Sequence, residues 1–81
     1  MKNTSVFTDY LKTLADYSER IDTGEVTHDD FSDFQKLNTR ITKAYQTGYF
    51  HKGEYEALIE IYYYLKDGFR IVLGLDRPGT I

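Results

Sequence analysis

An 81-residue chain with a net charge of −3 at pH 7 and no cysteine has room for one domain and no means of forming a disulfide. A domain this short buries only roughly 60–65% of its unfolded surface, and chains of its size commonly rely on a staple such as a disulfide, a metal or oligomerisation. Two histidines without a thiolate do not make a zinc cage, so association with a partner is the staple that remains. The acidic balance also argues against a general nucleic-acid binder, whose affinity rests on neutralising phosphate.

Met1 to Lys12 contains no apolar run of the secretory type, and no stretch approaches 18 apolar residues. The expectation is one domain over residues 1–81, in the cytoplasm and off the membrane. Charge is uneven: residues 1–33 carry three bases against eight acids, and the remainder seven against five. Aromatics are the main compositional signal, with eight Tyr, five Phe and no Trp. Tyrosine joins a large apolar ring to a polar tip and suits a core rim or an interface.

The first predicted helix covers about residues 5–23. Phe7, Tyr10, Leu11, Leu14, Tyr17 and Ile21 recur at three- and four-residue steps, which defines one apolar face. Thr4 or Ser5 offers a cap, and Gly24 a left-handed stop.

The second, about 28–47, has the clearest start in the chain. Thr27 followed three residues later by Asp30 forms a capping box, and Val26 with Phe31 a hydrophobic staple. Asp29 and Asp30 lie where the helix dipole favours negative charge. Phe31, Phe34, Leu37, Ile41, Ala44 and Tyr45 keep helical spacing up to Gly48.

The third, about 52–73, carries Tyr55, Leu58, Ile59, Tyr62, Leu65, Phe69 and Val72 in one phase. Two readings compete at Gly68. Either the helix runs on to Gly74 and tolerates about 1 kcal/mol for an internal glycine, or it ends there and residues 69–73 are extended. The unbroken phase predicts the first. Pro78 and Gly79 predict an irregular tail over 74–81.

Thr23-Gly24-Glu25-Val26-Thr27 with Asp30-Phe31 also echoes Thr47-Gly48-Tyr49-Phe50-His51 with Glu54-Tyr55, at an offset of 24 residues. One solution for joining antiparallel helices, used twice, accounts for it better than a solenoid repeat. The predicted fold is therefore all-α, a small antiparallel three-helix bundle with short glycine-containing turns.

Catalytic and metal signatures are weak. His28, Asp29, Asp30 and Asp33 crowd one helix start, where capping already occupies part of the set. Glu56 and Glu60 share a face one turn apart, without a neighbouring lysine, histidine or nucleophile. His51 reads as a cap. No phosphate loop or nucleophile–base pair is present, and a bundle this small offers little volume for a small-molecule pocket. The reading is non-enzymatic, without cofactor, metal or small-molecule substrate.

Lys36, Arg40 and Lys43 form a basic stripe on the second helix. It suits an anionic partner, or pairing across the bundle with Asp9, Asp16 or Glu19. Tyr62-Tyr63-Tyr64 is more informative, because neighbours 100° apart cannot share one core stripe. Tyr62 goes with Leu58 and Leu65, Tyr64 with Ala57 and Ile61, and Tyr63 lies between Ile59 and Lys66. More than half of the third helix is thus apolar, which predicts a partner over it.

The expected interface is Tyr55, Ile59, Tyr62, Tyr63, Tyr64 and Phe69. The expected function is a small cytoplasmic regulator or inhibitor, bacterial or phage-like in character, that binds another protein. A homo-oligomeric module, a homodimer for instance, is the alternative. A nucleic-acid-associated factor using the basic stripe ranks below both, since Glu54, Glu56 and Glu60 give a recognition helix the wrong sign.

Overall fold

A computed structural model describes residues 2–74 and contains three helices, α1 (Lys2–Thr23), α2 (His28–Gln46) and α3 (Lys52–Val72). The predicted bounds of α2 and α3 hold to within a residue. Helix α1 begins three residues earlier than expected, at Lys2, so Thr4 and Ser5 lie inside it. Nothing in Lys2-Asn3-Thr4-Ser5 breaks a helix, since the run contains neither glycine nor proline. Residues 75–81, most of the expected tail, lie outside the described residues.

Both turns use the same hardware. At the first, the Gly24 amide donates to the Ile21 carbonyl and the Glu25 amide to that of Arg20. At the second, the Gly48 amide donates to Tyr45 and the Tyr49 amide to Ala44. These are paired Schellman closures, and each needs the positive φ seen at Gly24 (76°) and Gly48 (87°).

The following cap is shared too. The Thr27 amide donates to the Asp30 carboxylate at 3.0 Å, and the Asp30 amide returns a bond to the Thr27 hydroxyl at 3.1 Å. The His51 amide donates to the Glu54 carboxylate at 2.9 Å. The residue before each cap, Val26 or Phe50, is buried in the core. The 24-residue echo is therefore a repeated turn, as its spacing suggests.

Ring contacts set the topology. Phe7 and Tyr10 meet Phe50 at the start of α3, and Tyr17 meets Phe69 near its end, so α1 and α3 run parallel. Tyr45 stacks on Tyr55, and Phe31 contacts Phe69, so α2 runs antiparallel to α3. Helix α3 packs against both neighbours, whereas α1 and α2 meet near their shared turn, through Tyr17–Phe34 and a 2.7 Å ion pair between Arg20 and Asp30. The order is up, down, up.

Leu14, Phe34, Ile41, Leu58 and Phe69 form the fully enclosed centre. Phe34 is its pivot, stacked on Tyr62 at 4.6 Å and contacting Phe69 at 4.8 Å. Such ring pairs add about 0.5–1.5 kcal/mol to what area burial supplies. A second cluster of Phe7, Tyr10, Tyr45, Phe50 and Tyr55 closes the other end. Phe50 belongs to no apolar stripe in the sequence, yet it occupies the position that Val26 occupies one turn earlier.

Helix α3 passes straight through Gly68, as its phase predicts, and stops before Gly74 (φ 71°). A Cβ placed on Gly68 would lie 3.1 Å from Ile21 Cγ2. The glycine is what lets α1 approach α3 this closely.

Candidate functional site on the outer flank of α3

Ten of the thirteen aromatic residues form the two ring clusters; Tyr63 meets Tyr62 edge-on at 5.2 Å yet stays half exposed, and Tyr49 and Tyr64 are exposed. Most of the aromatic surplus that suggested a partner is thus consumed within the chain. Tyr62 and Phe69, expected at an interface, are core residues. Their side chains project onto Phe34 between α1 and α2, and burial holds the Tyr62 hydroxyl above its ordinary pKa. A buried side chain offers a partner nothing, so both leave the interface.

The other four predicted residues divide. Tyr55 is half-buried against Tyr45 at 4.4 Å, with its hydroxyl 3.3 Å from that of Thr42. Ile59 is half-buried beside it. Tyr63 is 50% exposed, with the Lys66 ammonium 5.7 Å from its ring centroid. Tyr64 is 76% exposed.

Two residues that sequence reasoning left off the interface complete the surface: Ile71, 73% exposed, and Val72, 40% exposed. A heptad step from Tyr64 reaches Ile71, just as one from Ala57 reaches Tyr64. That spacing is legible in the sequence, although it runs in a different phase from the core stripe.

Tyr64, Ile71 and Val72 form one wall of an open groove of about 420 Å³ at the α1–α3 seam. Ser18, Ile21 and Asp22 of α1 form the other, and Leu65, Asp67 and Gly68 lie between. A groove of this volume exceeds the little pocket volume expected of so small a bundle, because the space opens at the surface seam between two helices and not within the core. Across α3 a shallower depression of about 380 Å³ is lined by Tyr55, Glu56, Ile59, Glu60 and Tyr63.

Lys36, Arg40 and Lys43 are all exposed. Lys36 lies 3.8 Å from Asp33 on its own helix, and none of the three pairs with Asp9, Asp16 or Glu19 among the described residues. Arg20 does cross from one helix to another, to Asp30. The Thr27 amide first, and then the Arg20 guanidinium, hold the Asp30 carboxyl below its ordinary pKa, and the bond to Asp30 raises that of Arg20. Asp30 is thus fully engaged in capping and pairing. Among the described residues, no group of three or more His, Asp or Glu could hold a metal ion.

Tyr17 also has a displaced pKa, raised first by burial and then by Asp33. Each of these displacements has a structural cause and none converges on the groove. No described helix is long and apolar enough to cross a membrane. Compared with protein-family models, curated proteins and solved structures, the chain matches none.

Proposed function

We propose that this chain works by binding another protein through the outer flank of α3, centred on Tyr64 and Ile71, as a small non-enzymatic regulator or inhibitor. One observation carries the reading. The core is closed and contains no buried polar residue among the described ones, yet two large apolar side chains on one flank of one helix remain about three-quarters exposed. Contiguous apolar surface of this kind marks interaction sites on small proteins, and tyrosine is enriched where partners meet. A cytoplasmic place of action belongs to the same reading, supported by the cysteine-free composition.

The test compares the wild-type chain with a Tyr64→Ser/Ile71→Ser variant of matched helicity as baits in cells of its source. The expected outcome is a stoichiometric partner held by the wild type and lost by the variant. Identical recovery with both baits, or recovery of nothing under gentle conditions, would remove the basis for the proposal. Sedimentation of the purified protein separates the alternative, a homo-oligomer whose mass falls on the same substitutions.

A further inference from the structure

Tyr63 and Tyr64 are adjacent in sequence, but a cation stands over the ring of Tyr63, and the charged residues that flank Tyr64 are acidic alone. Residues three and four positions apart are neighbours on a helix surface. Tyr63 has Ile59 and Glu60 on one side and Lys66 and Asp67 on the other, with the Lys66 ammonium over its ring. Tyr64 has Glu60 on one side and Asp67 on the other.

The groove beside Tyr64 continues this bias. Among the described residues, Asp22 on α1 and Asp67 on α3 are its only charged lining residues, and no lysine or arginine lines it. Arg20, the nearest base on α1, is turned toward α2 and bound to Asp30 and Asp16. The groove is apolar along its length and anionic along its rim.

Resting on the reading of this flank as a docking surface, we propose that the α1–α3 groove seats an amphipathic helix of a partner protein whose apolar ridge is edged with lysine or arginine. The shape is that of a bundle open for a fourth helix. The two walls run parallel, and Gly68 lowers the floor between them. From Tyr64 to Val72 the groove runs about 12 Å, two turns of a docked helix.

Apolar side chains of the incoming ridge cover Tyr64, Ile71 and Val72, while its flanking cations reach Asp22 and Asp67. This is helix-in-groove recognition with charge complementarity at the rim. A second copy seated groove to groove would set Asp22 and Asp67 of one molecule against the same carboxylates of the other, because a two-fold contact apposes identical patches. Nucleic acid meets the same repulsion.

The probe is a labelled amphipathic peptide of about five helical turns, with a leucine ridge edged by lysines, and a twin with glutamates in place of the lysines. Binding of both is measured by fluorescence anisotropy on the intact chain. The lysine peptide is expected to bind and the glutamate twin not.

Asp22→Lys/Asp67→Lys is expected to weaken the lysine peptide about tenfold and to flatten its salt dependence. Tyr64→Ser/Ile71→Ser removes binding. Asp9→Lys/Asp33→Lys makes the same change in net charge away from the groove and is expected to leave affinity within about twofold. Circular dichroism and thermal melts confirm that each variant is folded.

Equal binding of the two peptides, unchanged binding by the Tyr64→Ser/Ile71→Ser variant, or an equal loss in the remote variant would overturn the proposal. So would self-association that Tyr64→Ser disrupts, because the occupant is then a second copy. If capture of a cellular partner depends on Tyr64 and Ile71 but not on Asp22 and Asp67, the basic helix fails while the docking flank stands. If capture depends on neither pair, both fail.

Discussion

Thr27 and Asp30 satisfy each other's exposed amides at the start of α2, and Arg20 reaches over from α1 to the same carboxylate. Thr27→Ala removes one half of this exchange and should cost about 1 kcal/mol, or roughly 4–8 °C in melting temperature for a domain of this size.

The sign of the pH effect follows from the depressed pKa of Asp30. Its stabilising contribution is present above the unfolded value of about 3.9 and is lost as pH falls through the lower folded value. In urea titrations, Asp30→Asn should therefore be less stable than wild type near neutrality, with the gap closing as the solution is acidified. A gap that stays constant down to strongly acid pH would contradict the assignment.

The cap was readable in the sequence because all its parts lie within four residues. Arg20 was not, because its role depends on how closely two helices approach, which no local spacing encodes.

At the level of the element, α3 shows both the reach and the limit of periodicity. Its phase carried correctly through Gly68 and placed Leu58 and Leu65 in the core. It could not say how far around the helix the cover extends. Tyr62 and Phe69 lie within the covered arc, and Tyr64 and Ile71 well outside it. At 100° per residue Tyr62 and Tyr64, like Phe69 and Ile71, stand about 160° apart around the helix, so periodicity names the centre of the buried face while the positions of α1 and α2 set its width.

Gly68 illustrates the same limit, since its value lies in Ile21 across the seam. Alanine at position 68 improves helix propensity by about 1 kcal/mol but presses a methyl group against a stiff β-branched side chain. Gly68→Ala alone should be nearly neutral in stability. Made in an Ile21→Ala background it should stabilise by about 1 kcal/mol, and equal effects in the two backgrounds would show that the close approach carries no energetic weight. Phe34→Ala, at the pivot of the rings, should cost about 3–5 kcal/mol, which for a domain this small approaches complete unfolding.

Across the molecule, composition announced an aromatic surplus but not its destination. Thirteen rings could have lined an interface, and ten of them instead close the two ends of the core. The unsatisfied surface that remains is narrower than the sequence suggested and is displaced toward the end of α3. Since Tyr64 and Ile71 touch little of the core, Tyr64→Ser/Ile71→Ser should change folding stability by no more than about 0.5 kcal/mol. Denaturant unfolding checks this, and a large loss would mean that these side chains serve the bundle after all.

Helix α3 packs along both of its neighbours, whereas those two meet near a single turn. During synthesis, a ribosome that has delivered only α1 and α2 has produced a hairpin whose Leu14, Leu37 and Ile41 still face water. The native state is then gated by the last helix to emerge, and the chain matures nearly all at once. A peptide ending at Gly48 should be mostly unfolded by circular dichroism. Mixed with a separate peptide spanning residues 49–74, it should regain helicity, two pieces reconstituting what neither holds alone.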